Sequence, residues 1–396
     1  MSAVKALALF LLFLIAAAAG VWPTDTVSPA ASPALKLPGE VRPAPPSPYS
    51  VPRPFLRVRT SAQLRAALAR RTPRTIVLHA GVYDNTGPFL NPNGHAIYAG
   101  TLGKAIFAAG LSIGGNDARP GGLVRGVVFD LRDPSKTANG AAITVWGTAV
   151  GAQVLDITLR GNRTIRSGLV VRQPEGFRAA RLVARDFTDY GILVDANDRD
   201  RTTLEQRFRL SDLDVAGVTR PVPGSSNGTG EACVWIGNPG IVERVRARRC
   251  AWAGLWTGTA TTGARFDRID VDDTRTGVYI EHFTRQSTFQ RVRVGPRVRV
   301  GVTAEWADPE WNSQPASVDN VIEDSRFESW LVGVYLDEGT TRTTIRRSTF
   351  VGQRWAAIGD YEGVDNSYFA NDYRGIAPAA VAITRAHIRT SGGGSG

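Results

Sequence analysis

The segment Gly277-Val-Tyr-Ile-Glu-His-Phe283 recurs along the chain in altered form. Most copies begin 21 to 24 residues after the previous one, and longer gaps fit one repeat plus an inserted loop. A period this short, with one apolar strand in each repeat, is typical of a stacked solenoid. The copies begin at residues 140, 168, 191, 233, 254, 277, 301, 333 and 356.

Side chains alternate within each copy, as they do in a strand with one buried face. Val278 and Ile280 should point inward, so Tyr279 and Glu281 should point outward. A second alternating segment lies upstream of each copy, for example Phe266–Val271 and Thr344–Phe350. Two or three short strands per repeat around an apolar interior predict an all-β chain folded as a parallel β-helix of about ten coils.

The first part of the chain has the composition of an export signal and a linker. Ala6 to Ala19 is apolar and follows Lys5, which predicts a secretory signal peptide or an uncleaved N-terminal anchor. Ten of the 23 prolines lie between Pro23 and Pro54, which predicts a stiff, extended linker. The predicted divisions are signal peptide or anchor 1–22, Pro-rich linker 23–54, β-helix domain 55–380 and flexible tail 381–396.

A helix should open the folded domain. Thr60 and Gln63 form a capping-box pattern ahead of a predicted helix from Ala62 to Arg71, which would cover the first coil. A strand over Thr75–Leu78 and a turn at Gly81–Tyr83 should follow, and residues 85–125 match the repeat poorly, as irregular coils would.

Two longer segments read as insertions in the β-helix. They are Asn197–Glu231, with a loop over residues 221–229, and Ala307–Asp319. One precedes a copy of the repeat and the other follows a copy, so we expect them to wall a groove on one face. Loops on a rigid scaffold are common binding sites, although neutral variation in turns is the alternative interpretation.

The net charge indicates which partners the protein could bind, and the cysteine content bears on disulfide formation. The formal charge is +11, with 43 Arg and four Lys, which favours polyanions. No nucleic-acid-binding motif is present, so we expect no nucleic-acid partner, and we expect a monomer. Cys233 and Cys250 are the only cysteines, and their spacing leaves both a disulfide and two buried thiols open.

The outward positions of the repeated strand form the candidate site. The fifth position carries carboxylates on four successive coils, and the third position is rich in aromatic residues. Gly237 and Gly258 leave space beside the tryptophans. The candidate catalytic residues are Glu281, Glu305, Asp337 and His282, and the candidate substrate-binding residues are Trp235, Trp256, Tyr279, Trp306, Tyr335, Asp360 and Arg172.

Stacked carboxylates raise the pKa of at least one of their number, because like charges lie about 5 Å apart. A protonated acid beside an ionised base suits glycosidic cleavage, and flat aromatic rings suit sugar rings. In β-elimination a cation would neutralise a uronate, and His282, Tyr279 or an arginine would be the base. The same row of oxygens also suits a Ca²⁺ ion, although we identify no definite metal site or cofactor. A solvated face with no function is the other interpretation.

Two segments add a resemblance to a known scaffold. Thr60-Ser-Ala-Gln-Leu-Arg-Ala-Ala-Leu-Ala69 followed by Ile76-Val-Leu-His-Ala-Gly-Val-Tyr83, with the coil pattern, resembles the pectin-lyase-like superfamily over residues 56–375. That resemblance implies a three-faced, right-handed parallel β-helix and, often, an extracellular polysaccharide lyase, hydrolase or epimerase. The sequence departs from the known catalytic signatures, since Asp272-Asp273 stands outside the repeated strand and the face lacks a lysine. No family's catalytic residues can therefore be transferred.

The sequence thus leaves two functions open. In the first, a secreted or envelope-tethered protein cleaves an acidic polysaccharide in a groove between residues 235 and 361, as a lyase or a glycoside hydrolase. In the second, a non-catalytic surface protein binds glycans or acts as an adhesin-like spacer. A membrane contact is expected only through an uncleaved N-terminal segment.

Overall fold

The computed structural model describes residues 41–44, 49–115, 119–172, 175–195, 208–219, 232–258, 261–281, 284–304, 317–337 and 339–384. The predicted signal segment, most of the linker and most of the tail lie outside these residues. Within them, no helix is long and apolar enough to span a bilayer.

Most secondary structure in the described residues is parallel β-strand. The first coils contain β1 (Phe55–Val58), β2 (Thr75–Leu78), β3 (Gly81–Tyr83), β4 (Phe89–Asn91), β5 (Ala96–Ala99), β6 (Ala105–Phe107), β7 (Leu111–Ile113), β8 (Leu123–Arg125) and β9 (Val128–Asp130). The middle coils contain β10 (Ala141–Val145), β11 (Gln153–Arg160), β12 (Ser167–Arg172), β13 (Arg178–Arg185), β14 (Tyr190–Asp195), β15 (Phe208–Val218), β16 (Ala232–Ile236), β17 (Gly240–Thr257) and β18 (Arg265–Ile280).

The remaining strands complete the solenoid. They are β19 (Thr284–Arg285), β20 (Thr288–Gln290), β21 (Arg293–Val294), β22 (Val300–Ala304), β23 (Ser317–Val318), β24 (Val321–Glu323), β25 (Arg326–Phe327), β26 (Val332–Leu336), β27 (Thr344–Arg346), β28 (Thr349–Val351), β29 (Ala356–Asp360), β30 (Ser367–Phe369), β31 (Asp372–Arg374) and β32 (Ala382–Thr384). Short 3₁₀ helices span Pro134–Lys136 and Pro378–Ala380.

Apart from β19 and β23, which pair with each other, the described strands stack in three parallel sheets around one apolar interior, which confirms the predicted parallel β-helix. The first sheet runs through β4, β7, β10, β12, β14, β16, the ends of β17 and β18, β22, β26, β29 and β32. The second begins with β1, β2, β5 and β8, and the third with β3, β6 and β9. From β11 to β18 single strands bend round the corner between the second and third sheets, and a left-handed residue such as Asp156 or Arg181 marks each bend.

Glycine opens most repeats because the position faces the filled interior. A Cβ at Gly277 would lie 2.4 Å from the carbonyl oxygen of Gly301 and 2.9 Å from Val294. At Gly333 it would lie 2.4 Å from the ring of Phe350. Real Cβ atoms do not approach other atoms this closely, so the repeated glycine that revealed the fold is a packing requirement.

Cys233 occupies the same position in one of the coils that lack the glycine. It forms a disulfide with Cys250, with the two Cα atoms 5.5 Å apart, which settles the alternative left open by the sequence. Both cysteines are buried in the core. The bridge joins the first sheet to the strand that leads into the next coil.

Helix α1 (Ser61–Leu68) follows the first strand. Thr60 accepts a hydrogen bond from the Gln63 amide, and the Gln63 side chain accepts one from the Arg59 amide. Leu64, Ala67 and Leu68 are buried, and the helix packs against β1 and β4. The helix begins one residue before the predicted Ala62 and ends three residues before Arg71, because Pro73 favours extended backbone just upstream.

Three local predictions were wrong. Gly81–Tyr83 is strand β3 and not a turn, and residues 85–125 contain regular short strands in continuous register. Asn197–Glu231 is not one insertion, because its centre is β15, which pairs with β13 and β17. The alternating apolar residues Phe208, Leu210, Leu213 and Val215 could have revealed this strand. The segment 221–229 and most of Ala307–Asp319 lie outside the described residues.

The end of the predicted linker is packed on the solenoid. The Ala44 amide donates to Asp212 over 3.0 Å, and the Tyr49 hydroxyl donates to the Ala99 carbonyl over 2.6 Å. The Arg125 guanidinium lies 4.3 Å from the Tyr49 ring centre, and only glycine fits at position 126, because a Cβ there would lie 2.2 Å from the Tyr49 hydroxyl. Ala44 and Tyr49 of the predicted linker therefore contact the solenoid, and the predicted boundary at residue 54 stays a prediction.

Candidate functional site

The outward third position of the first sheet forms one continuous column, as predicted. Backbone register places each member directly opposite the next on the neighbouring coil. We call the outward surface around this column the aromatic face. Its described column members are Val170, Leu193, Trp235, Trp256, Tyr279, Thr303 and Tyr335.

The rings of this face contact one another outside the core. The Trp256 and Tyr279 ring centres lie 5.0 Å apart in an edge-to-face arrangement, and those of Trp252 and Tyr279 lie 6.3 Å apart. The Tyr190 and Trp235 ring centres lie 6.5 Å apart. These residues form two apolar clusters that are separate from the interior. The solenoid therefore carries a second apolar surface, on its outside.

Small residues make room for these groups. A Cβ at Gly237 would lie 2.6 Å from the Trp235 ring, and a Cβ at Gly258 would lie 2.4 Å from Oε2 of Glu281. Ala232 and Ala253 lie in the same outer cluster as Tyr190 and Trp252. The predicted space above the two glycines is therefore occupied, by the Trp235 ring at Gly237 and by the Glu281 carboxyl group at Gly258.

Glu281 is the carboxyl group most closely associated with the aromatic face. Its backbone amide donates to the Thr257 carbonyl, and its side chain reaches over Gly258 toward Trp256. The Trp256 indole N–H donates to Oε2 of Glu281 over 2.9 Å. Burial raises the pKa of Glu281 to about 7, and the Trp256 hydrogen bond opposes this shift only in part. Glu281 can thus hold a proton near neutral pH.

Tyr190 contributes a second protonated group. Burial raises the pKa of its phenol to about 12, and the negative charges of Asp189, Glu281 and Asp195 add to the shift. The hydroxyl therefore remains a hydrogen-bond donor throughout the physiological range.

Asp337 lies on the same column of the sheet as Glu281, two coils further along the solenoid. The Asp337 amide donates to the Ala304 carbonyl, and Ala304 pairs with Ile280. The two acids are therefore two strand spacings apart, or about 9.6 Å between backbones. The Tyr335 hydroxyl donates to Asp337 over 3.4 Å, and burial, followed by the Asp337 charge, raises the pKa of Tyr335.

Asp360 does not belong to this column, which corrects the predicted row of four acids. It pairs with Leu336, whose side chain is in the core, and not with Asp337. Its carboxylate accepts from the Gly363 amide, the Asn366 side chain and the Tyr368 hydroxyl. Tyr361 follows Asp337 on the column instead, since its amide donates to the Leu336 carbonyl.

Arg172 and Asp195 face each other on adjacent coils and form an ion pair. The guanidinium of Arg172, which was predicted to contact the substrate, is therefore already paired with Asp195. His282, Glu305 and Trp306 lie outside the described residues, so their assigned roles stay predictions.

Three residues of the aromatic face were missed from the sequence. Tyr190, Trp252 and Arg275 each stand one or two positions before a repeat glycine, outside the five positions that were compared. The Arg275 guanidinium lies 4.2 Å from the Trp252 ring centre, in a cation–π contact. The aromatic residues just before the repeat glycines could have identified Tyr190 and Trp252 from the sequence.

Among the described residues, no group of three His, Cys, Asp or Glu side chains is arranged to hold a metal ion. The predicted Ca²⁺ alternative therefore has no described ligand set, and it depends on positions outside the described residues.

Comparison with known proteins shows the fold. No protein-family model matches the chain, and no curated protein does. Among solved structures, the A-module of the Azotobacter vinelandii mannuronan C-5 epimerase AlgE4 is similar with a TM-score of 0.52 and 13% identity, covering 82% of this chain and 93% of that one. The Streptococcus pneumoniae surface adhesin PfbA is similar with a TM-score of 0.54 and 9% identity, covering 79% and 88%.

At these identities the likeness extends to the backbone only. Epimerase and adhesin share one scaffold, so the scaffold does not select between catalysis and binding. The register, the three sheets and these neighbours agree on a parallel β-helix fold.

Proposed function

We propose that this protein binds a polysaccharide across the aromatic face and cleaves it, with Glu281 as the proton donor. The observation that carries the proposal is the position of Glu281, which is bonded to Trp256 within a cluster of rings and has a pKa near 7. An acid that keeps its proton at neutral pH is what departure of a glycosidic oxygen requires.

The ring cluster supports sugar binding. Trp235 and Trp256 are partly exposed on successive coils, and Tyr279 continues the column. Their spacing follows the strands, so a chain lying along the solenoid axis would meet one ring after another. Apolar ring faces next to polar N–H and O–H groups suit the apolar faces and hydroxyls of sugars.

Asp337 is the proposed base for a hydrolytic reaction. Its column position is about 9.6 Å from that of Glu281, close to the carboxyl separation of inverting glycosidases. Glu305, which was predicted as an alternative partner, would stand between them at about 4.8 Å, near the separation of retaining enzymes. A lyase reaction would use the same proton donor and would differ in its products.

The charge at one edge of the face favours an acidic polymer. Arg275 is exposed over Trp252, and Arg299 follows at the equivalent position of the next coil. Two guanidinium groups on successive coils can pair with two carboxylates of a uronate chain.

The test is an activity screen on uronic-acid and neutral polysaccharides that reads both reducing ends and the absorbance of unsaturated products. Glu281→Gln should lower the rate about 10²- to 10⁴-fold, because the amide can still accept from Trp256 but cannot donate a proton as an acid. Binding of the same polymer, measured by calorimetry, should change little.

Glu243→Gln is the matched control. Glu243 is a partly buried acid on the second sheet, paired with Arg209 over 2.6 Å, and this change should leave the rate as in the parent protein. Equal losses in both variants, or full activity in Glu281→Gln, would reject Glu281 as the proton donor.

A non-catalytic glycan-binding function is the second candidate. It is favoured by the reduced acid row, since Asp195 is paired with Arg172 and Asp360 is bonded away from the column. In that case the wild-type protein would bind a polymer in the screen without releasing either product, and Glu281→Gln would bind equally well.

We also infer that the protein acts outside the cytoplasm, secreted or tethered to the envelope. The apolar N-terminal sequence supports this location, and the Cys233–Cys250 disulfide is compatible with an oxidising compartment. We infer too that α1 covers the first of about ten right-handed coils. Its contacts with the terminal strand β1 support that role.

A further inference from the structure

The N-terminal end of the solenoid has an unusual concentration of positive charge. Eight arginines and no acidic residue occur between Val41 and Tyr83, although the whole chain has a formal charge of only +11. Seven of the eight lie on or close to β1, α1 and the start of β2. We call these seven residues the basic end: Arg53, Arg57, Arg59, Arg65, Arg70, Arg71 and Arg74.

The basic end is exposed and is not neutralised within the described part of the chain. All seven side chains are exposed, and none of them forms an ion pair with a described residue. Arg65 donates to the Asn85 side chain, and Arg53 and Arg57 stack against Phe55. Elsewhere most acids have an arginine partner within the solenoid, as Asp212 has Arg244. The end therefore differs from the sides of the solenoid in having charge without countercharge.

Apolar side chains border this charge. Val82 on β3 is 63% exposed, and Leu90 on β4 is 61% exposed. Both lie on the terminal described strand of their sheets, because among the described strands β3 pairs with β6 alone and β4 with β7 alone. They also adjoin the basic end, since the Asp84 amide donates to Ser61 of α1 and α1 packs against β4.

We infer that the basic end docks on an anionic phospholipid surface. Arginines next to exposed aliphatic and aromatic side chains match a bilayer interface, where guanidiniums meet phosphates and apolar groups enter the acyl boundary. A purely polyanionic polymer would use the arginines and leave Val82 and Leu90 in water. This surface is independent of the aromatic face and of any reaction there.

The test is co-sedimentation of the full chain with phosphatidylglycerol–phosphatidylcholine vesicles and with pure phosphatidylcholine vesicles. Binding should be stronger to the anionic vesicles and should weaken as salt rises from about 0.05 to about 0.5 M. A variant with five arginines of the basic end changed to glutamine should bind anionic vesicles at least about tenfold more weakly. Its substitutions are Arg57→Gln, Arg59→Gln, Arg65→Gln, Arg70→Gln and Arg71→Gln.

The matched control removes the same charge from exposed arginines on other parts of the solenoid. Its substitutions are Arg163→Gln, Arg178→Gln, Arg249→Gln, Arg268→Gln and Arg354→Gln. Any contribution of the apolar N-terminal segment is common to both variants, and equal circular dichroism spectra verify that both are folded. The control should bind anionic vesicles nearly as well as the parent protein.

Three results would overturn the inference. They are equal losses in the two variants, equal binding of the parent protein to both kinds of vesicle, and binding to soluble alginate or DNA with no binding to anionic vesicles.

A separate variant tests the apolar side chains. Val82→Ser with Leu90→Ser should weaken vesicle binding without changing its salt dependence. Unchanged binding in this variant would count against the membrane in favour of a soluble polyanion.

Discussion

The corner between the second and third sheets and the aromatic face both stack polar side chains at the strand spacing, but they use that spacing differently. At the corner, one residue of each coil has left-handed backbone, and acids alternate with arginines along part of the column. Its members, the corner ladder, are Asp156, Arg181, Asp212, Arg244, Arg268, Arg291, Asp324 and Arg347.

Acids in the corner ladder have their charge matched by neighbouring coils. Asp156 is fully buried and meets Arg125 over 2.6 Å as well as Arg181. Burial raises the pKa of Asp156, but the hydrogen bonds from Arg181 and Arg125 outweigh burial and hold it below its usual range. Glu281 on the aromatic face meets an indole N–H, and its pKa rises. The kind of partner that a neighbouring coil supplies, rather than the stacking itself, therefore decides whether the pKa of an acid falls or rises.

The largest expected effect is on the ladder. Asp156→Asn should lower the free energy of unfolding by about 3–5 kcal/mol, because it leaves two arginines without their buried acid. Asparagine tolerates the left-handed backbone at this position, so the change isolates the charge. Chemical denaturation measures the loss.

Asp319→Asn is the control for this substitution. Asp319 is also left-handed, but its pair with Arg342 is exposed, so the loss should stay within about 1 kcal/mol. Similar losses at both positions would mean that burial does not distinguish the two pairs.

The next effect is on the aromatic face. Trp235→Ala should weaken binding of the polysaccharide identified in the screen about 30-fold, as expected for a central aromatic contact, with Glu281 left in place. Phe369→Ala removes an exposed ring from the second sheet and should leave binding unchanged. Calorimetry measures the affinity of both variants for the polysaccharide. Equal affinities of Trp235→Ala and Phe369→Ala would contradict binding on this face.

The smallest effect is a pH dependence of stability. Because the folded-state pKa of Glu281 is raised, the folded protein binds more protons than the unfolded chain between about pH 4.5 and 7, and stability from this group is lost as pH rises through that window. The stability of Glu281→Gln relative to the parent protein should therefore increase by about 1–3 kcal/mol from pH 4 to pH 8. A constant difference across this range would place the Glu281 pKa at its ordinary value.

The sequence predicts the scaffold well because each coil repeats the same packing problem. Gly277 and Gly333 are required by neighbouring core atoms, and the third position keeps one register from Val170 to Tyr335. The fifth position was less predictable. Matching Ala356 to Gly333 shifted the last coil by one residue and turned Asp360, which faces inward, into an outward acid.

What the sequence could not predict is which side chains meet across neighbouring coils. Alternating charge indicates solvated faces, but it does not show that Asp156 is buried between two arginines or that Glu281 lies under an indole N–H. Both contacts join residues 25 or more positions apart. They depend on which rotamer reaches the neighbouring coil, and no local pattern encodes that choice.

The proposed proton donation by Glu281 depends on the pKa of this residue, and infrared titration of the carboxyl band measures that pKa. The difference spectrum between the parent protein and Glu281→Gln isolates the protonated C=O stretch of this one group. If Glu281 is the proton donor, this band should disappear with a midpoint near pH 7. A midpoint below about pH 5, where ordinary glutamates titrate, would contradict it.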